Sequence, residues 1–270
     1  METDERSALL ALLDLERQTV LYPGVTRHSD AGVVRDMSED GKSGEVVYSS
    51  SSEGEVGRVI EDQVRAARSA GYDLEWKVYG HDRPLCLGER LRAAGFEAGD
   101  KEAFLVFHAG GESLARFGDC SGDVRRVTGE EGLEDYRMIV EEVRGRDRDQ
   151  KIKRKIKREI GRYALMLRDH PNNMSLYVAY ADGVPAACGR VYFHRSSRFA
   201  GLYGSNTRTR FRKRGLFTQV VAAHIREAVG RGIVYVCVDA LPTSEPILRK
   251  RGFEAVTHTQ PFCLGLPPGL

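Results

Sequence analysis

The sequence predicts an α/β fold in two domains, 1–115 and 116–270, and three observations predict it. First, residues 199–207 are aromatic, small and β-branched. After them Phe217, Val220, Val221, Ile225 and Ala228 recur at helical spacing, and 233–238 form a continuous apolar run of the kind a buried strand shows. A strand therefore feeds a helix and then a second strand. Second, 175–191 read as strand, Asp182-Gly183 turn and strand, which is a hairpin signal. Third, the order strand, short helix, Gly-Phe-Glu, strand at 74–107 recurs at 233–264. Leu91-Arg92-Ala93-Ala94-Gly95-Phe96-Glu97 echoes Leu248-Arg249-Lys250-Arg251-Gly252-Phe253-Glu254, and an internal duplication is the economical explanation.

The elements follow in chain order. Leu9, Leu10, Leu12, Leu13 and Leu15 give residues 1 to about 20 the apolar face of a helix. Short strands at 32–35 and 44–48 flank a turn at 39–43. The Gly41-Lys42-Ser43 there is not a Walker loop, because the first glycine of that motif, four intervening residues before Gly41, is replaced by Asp36. Val56, Val59, Ile60, Val64 and Ala67 share one face of a helix closed by Gly71. Leu74, Trp76 and Val78 alternate as a strand, a helix spans 85–94, and 103–107 is an apolar strand. Gly110, Gly111, Gly118 and Gly122 mark the seam between the two halves. A strand at 124–127 and a helix at 131–143 open the second half. In the basic run 150–160, Ile152, Ile156 and Ile160 lie four apart, so the apolar seam faces inward and the lysines face solvent.

Composition narrows the function. The 270 residues carry a net charge of only +2 with 30% charged residues, so no global field demands nucleic acid or an anionic membrane. Nucleic acid is not an expected partner, since the basic helix lacks interleaved aromatics. The acidic start, without a basic region and apolar core, and the lack of a bilayer-length apolar run point to a cytoplasmic protein with no membrane partner. Five scattered cysteines without a C-x-x-C pair indicate neither a disulfide framework nor a metal site, with Cys188 and Cys237 expected inside strands.

The chemistry concentrates in Arg212-Lys213-Arg214-Gly215-Leu216-Phe217-Thr218, between the strand at 199–207 and the helix after it. A helix start has backbone N–H groups without intrahelical partners and the positive end of the macrodipole, so it favours an anion. Gly215 lets the backbone approach that anion, and Arg212 and Arg214 add charge. The segment reads as a phosphate cradle.

Together with 239–254, this loop resembles that of the GNAT superfamily of acyl-CoA-dependent N-acetyltransferases. The pyrophosphate loop of that family has the form [QR]-x-x-G-x-[GA]. Arg212 and Gly215 match its first two fixed positions, and Gly252-Phe253 matches the family's Gly-Phe turn after a short helix. Phe217 departs from the expected Gly or Ala, and Leu248 stands where many members place a Tyr that protonates the leaving thiolate. The resemblance is strongest over 175–257. It implies a tandem protein, each domain a central mixed, largely antiparallel sheet flanked by helices, with 116–270 binding acetyl-CoA. The N-terminal copy is read as degenerate, because the acidic stretch Ser49-Ser50-Ser51-Ser52-Glu53-Gly54-Glu55 stands where the basic loop belongs.

The resemblance further implies transfer of an acetyl group to an amine of a small molecule or peptide by direct attack in a ternary complex, and a homodimer is compatible with it. Asn206, Thr207 and Arg208 would bond pantetheine through the backbone, and Arg212 to Thr218 would hold the pyrophosphate. Ser244 is counted with the cofactor residues, although its position before the short helix is also that of an N-cap. No Glu lies between Phe199 and Thr207 to act as the usual base. Asp239 is the acidic candidate and Tyr203 the candidate acid, each with a structural alternative as turn cap or core residue. Two rivals stay open: a non-catalytic CoA-binding regulator, and an aminoacyl-tRNA-dependent peptidyl transferase to which the basic 150–158 helix would present the tRNA.

Overall fold

The computed structural model describes residues 3–30, 32–110, 113–117, 122–145 and 150–265. Gly111, Gly118 and Cys120 of the expected seam lie outside them. The elements are α1 (Thr3–Thr19), β1 (Val25–Asp30), β2 (Val33–Ser38), β3 (Ser43–Ser49), α2 (Val56–Ala70), β4 (Asp73–Tyr79), α3 (Leu87–Ala93), β5 (Glu97–Ala98) and β6 (Glu102–His108). They continue as β7 (Val124–Arg126), α4 (Glu130–Arg144), α5 (Gln150–Asp169), β8 (Met174–Ala181), β9 (Val184–Tyr192), β10 (Phe199–Thr207), α6 (Leu216–Gly230), β11 (Tyr235–Ala240), α7 (Glu245–Lys250) and β12 (Glu254–Leu264). The fold is mixed α/β, as the sequence predicts.

The chain divides into two compact units. The first comprises Met1–Leu105, Asp239–Glu245 and Ala255–Leu270, and the second Val106–Val238 and Pro246–Glu254. Backbone pairing holds β12 in the first unit: it hydrogen-bonds antiparallel to β4, from Thr259 opposite Tyr79 to Leu264 opposite Leu74.

In the first unit, β1, β2 and β3 form an antiparallel meander. β4 then joins β3 in parallel, with α2 as the crossover. The apolar face of α2 supplies Val56, Ile60, Val64 and Ala67 to a core with Leu74, Trp76 and Phe262. Gly71 ends the helix in the left-handed region at φ 73°, its N–H donating to Ala67 O, as its place after the last apolar residue predicts. At the other end, Ser52 Oγ donates to a Glu55 carboxylate oxygen at 2.6 Å, so a negative charge already stands at the start of α2. A second phosphate cradle there would meet repulsion.

The second unit repeats the plan. β7 to β10 are antiparallel neighbours in the order β10-β9-β8-β7, and β11 joins β10 in parallel after α6. Asp182 at φ 56° and Gly183 at φ 74° make the β8–β9 turn that the Asp-Gly pair predicts. Ile156 and Ile160 of α5 are buried with Tyr136, Ile139, Leu176 and Val178, so the basic helix turns its apolar seam inward. Gly95 and Gly252 share φ 93°. The phenylalanine after each packs within its own unit, Phe96 edge-on to Trp76 and Phe253 against Phe107. Cys188 is buried as expected, whereas Cys237 is only half-buried. Among the described residues, no helix is long and apolar enough to cross a membrane.

Candidate active site

The site is built on β10. Its antiparallel pairing with β9 runs through Tyr203 opposite Arg190 and resumes at Asn206 opposite Cys188. Three steps on β10 against two on β9 make a bulge, and Gly204 takes it at φ 57°. On the other side, the pairing with β11 covers Phe199–Leu202 opposite 235–238. Past Leu202, β10 runs on without that ladder. Arg208 N–H donates to Ala186 O at 2.9 Å, which closes the β9 pairing just beyond β10.

From there the chain makes a 3-10 turn, Thr209–Phe211, and enters the basic loop. Phe211 is buried and anchors the turn, with the Arg210 guanidinium 4.7 Å from its ring centroid. Arg212, Lys213, Arg214 and Gly215 are all exposed. Lys213 and Gly215 both hold positive φ, at 63° and 78°, so the loop turns sharply into α6. A Cβ at Gly215 would meet nothing within 4 Å, and so the glycine answers to backbone conformation there rather than to crowding. The first α6 bond runs from Gln219 N–H to Gly215 O, and no side chain caps the helix. The N–H groups of Leu216, Phe217 and Thr218 therefore emerge at an open, positively charged helix start. Leu216 is buried, while Phe217 and Thr218 are half-buried. Arg212 Nε donates to Thr207 O at 3.3 Å, and Arg214 pairs with exposed Asp182 at 3.0 Å.

The other predicted residues fall as follows. Asn206 Nδ2 donates to Gly204 O at 2.7 Å and so braces the bulge. Arg208 is 8% exposed, with its guanidinium on Glu142 and Pro185 O, so both its side chain and its N–H serve the fold. Tyr203 is 42% exposed on the second unit, its ring edge-on to Tyr192. Asp239 groups with the first unit, where it takes Lys77 Nζ at 2.5 Å and Thr259 Oγ1 at 2.6 Å on its two oxygens. Ser244, in the same unit, donates to Leu241 O at 3.2 Å.

Two further residues of the second unit stand out. His224 on α6 is fully buried, and neither ring nitrogen reaches a well-formed hydrogen bond. Burial pushes its pKa down to about 4, against the opposing pull of the Gly189 main chain and Glu227. Arg190 is the one charged residue of β9 and lies beneath three tyrosine rings. In the first unit, Asp14, His81 and Asp82 place potential ligand atoms within 4.8 Å of one another. Arg17 bridges both carboxylates, at 2.7 and 2.8 Å, and neutralises the charge a cation would need.

Residues 138–253 match the acetyltransferase (GNAT) family. No curated protein matches the sequence. Among solved structures, a GCN5-related N-acetyltransferase from Kribbella flavida superposes with a TM-score of 0.65 at 16% identity, covering 98% of this chain and 95% of that one. A functionally unknown conserved protein from Staphylococcus epidermidis gives 0.65 at 14%, covering 90% and 95%. A tandem GNAT protein from the clavulanic acid biosynthesis pathway gives 0.59 at 13%, covering 99% and 97%. At these identities the likeness is one of fold.

Proposed function

We propose, from the match of residues 138–253 to the acetyltransferase (GNAT) family, that the protein is a cytoplasmic N-acetyltransferase acting on an amine of a small molecule or peptide. The observation that carries the reading is the open start of α6, where N–H groups without a side-chain cap, Gly215 and two exposed arginines stand one short turn after a strand whose ladder with its parallel neighbour ends at Leu202. This fits a pyrophosphate followed by an extended pantetheine arm. Arg212 to Thr218 would hold the diphosphate by charge and backbone donors. Asn206 and Thr207 would present main-chain groups to the arm, with Arg208 fixing their strand from behind. Ser244 remains a further candidate for the cofactor.

When bound, acetyl-CoA supplies a thioester whose carbonyl carbon gains a C–N bond to the amine as its C–S bond breaks, leaving CoA thiolate. The residues position the amine, take its proton and return one to the thiolate. Asp239 is the proposed base and Tyr203, with its exposed ring, the proposed acid. The N-terminal copy is proposed to be degenerate, and the carboxylate at the start of α2 supports that. A non-catalytic CoA-binding regulator is the second reading. What favours it is Leu248, buried at 2% where the family's tyrosine would stand.

Calorimetric titration of acetyl-CoA into the wild type and an Arg212→Ala/Gly215→Glu variant tests the reading. We expect binding by the wild type and at least about tenfold loss in the variant, since a charge-assisted contact is worth roughly 1.5–3 kcal/mol. Arg212→Ala/Arg214→Ala removes charge without the strain of a side chain at positive φ. A folded wild type that binds nothing defeats the proposal, and binding without turnover on an amine panel leaves the regulator. With turnover in hand, Tyr203→Phe and Asp239→Asn should each lower kcat while acetyl-CoA still binds.

A further inference from the structure

We propose that Arg190 is the docking group for a carboxylate on the acceptor, so that the substrate class is an amine that also carries a carboxylate, such as an amino acid or a short peptide. The inference rests on the acetyltransferase reading for its reaction, but not for its binding chemistry.

Arg190 is out of character with its strand. Val184–Tyr192 is otherwise free of charge, and Ala186, Ala187, Cys188 and Val191 are all buried. The register places Arg190 between Leu176 of β8 and Tyr203 of β10. Its guanidinium carbon lies 5.0, 5.8 and 5.9 Å from the ring centroids of Tyr163, Tyr203 and Tyr192. Its side chain is 17% exposed, and Nε is buried with no hydrogen-bond partner. Aromatic faces attract a cation, but they do not replace the hydrogen bonds it loses on leaving water.

The charge is also under-compensated. The carboxylate recorded against it, Glu159, approaches Nη1 only to 3.8 Å, beyond hydrogen-bonding range. Glu159 is already taken: Arg144 donates to it at 2.8 Å, and the Tyr163 hydroxyl bonds its other oxygen. Two guanidiniums thus share one carboxylate, which leaves a positive surplus around Arg190. Burial raises the pKa values of Tyr136 and Tyr163, so the phenols remain neutral and cannot supply the missing charge.

The guanidinium is also aimed. Both Nη atoms lie against Gly204, where a Cβ would collide with Nη1, so the bulge glycine keeps room for the arginine tip. That bulge sits just past the last β10–β11 pair, at the segment proposed to hold the pantetheine arm. An acceptor amine brought to this stretch would place a neighbouring carboxylate within reach of Arg190. A planar guanidinium matches a carboxylate's two oxygens.

The test uses the full chain and a panel of α-amino acids, the amides of the same amino acids, and the corresponding decarboxylated amines. Binding is measured by calorimetry with and without acetyl-CoA, and acetyl transfer is measured where it occurs. The expected result is at least about tenfold tighter binding and lower KM for the acids than for their amides, the yield of one charge-assisted contact. Arg190→Gln should erase the preference through KM, with acetyl-CoA affinity unchanged. Arg190→Lys, which keeps the charge, should retain part of it and serves if the glutamine variant does not fold. A wild type that treats acids and amides alike, binds no member of the panel, or keeps its preference without Arg190 overturns the assignment. Failure of acetyl-CoA to bind counts instead against the acetyltransferase reading, because the acid–amide comparison is also made without it.

Discussion

Arg208 closes on Glu142, with Nε at 2.6 Å and Nη2 at 2.5 Å from Oε2, and so ties the end of β10 to α4. The arginine side chain is 10% exposed and the glutamate 37%, so this pair is neither fully solvated nor fully dry. Nη1 adds a bond to Pro185 O at 2.8 Å. Arg208→Met keeps the apolar stem but removes both contacts. We expect it to cost about 1.5–3 kcal/mol in urea unfolding, the range for charged hydrogen bonds. Because the loop at 212–218 follows directly, acetyl-CoA affinity should fall several-fold as well. A change below about 0.5 kcal/mol, the level of an ordinary surface substitution, would mean that the pair does not hold the strand.

His224 makes stability fall on mild acidification. Its pKa is pushed down to about 4 in the folded protein, against 6.5 when unperturbed. Between these values the unfolded chain binds the proton and the folded chain does not, so stability is full above pH 6.5 and falls as the pH drops toward 4. At pH 4.5 the loss from this residue is about 2–3 kcal/mol. His224→Leu keeps an apolar group in the site and cannot titrate. Its unfolding free energy should therefore lose that much less than the wild type's between pH 7 and pH 4.5. Parallel pH profiles for the two proteins would refute the assignment.

These elements were unequally legible. The β8–β9 hairpin and the β10–α6–β11 unit could be read because Asp182-Gly183 and the spacing from Phe217 to Ala228 are local signals. β1 was missed, since Val25–Asp30 has one apolar residue and is largely exposed. β5 has only two residues and offers no periodicity. The destination of β12 was hidden for another reason: alternation gives a strand's face but not its neighbour, and only pairing with β4 moves Ala255–Leu270 to the first unit. Asp239 shows the same limit, because its partner Lys77 lies 162 residues away. Arg190 did leave a trace, as a lone charge inside an apolar strand.

Glu45 acts in the opposite sense to His224, and at higher pH. It stands on β3 opposite Glu75 of β4 and Asp36 of β2. Crowding by the surrounding protein, then repulsion from Glu75, Asp36 and Asp239, push its pKa up to about 7, with Lys77 pulling the other way. The folded chain therefore holds this proton more tightly than the unfolded one, whose carboxyl titrates near 4.5. The contribution to stability is full below pH 4.5 and is lost as the pH rises through 7. Glu45 is nevertheless exposed on the strand, so repulsion from the facing carboxylates is the firmer cause and screening by water reduces the effect well below what a dry carboxylate would show. Glu45→Gln removes the titration and keeps the shape. The variant should be more stable than the wild type at pH 8, and the gap should close as the pH falls to 5, read as midpoint shifts in urea at each pH. A gap that does not change with pH, or a variant weaker at pH 8, would show that the neighbouring carboxylates do not burden Glu45.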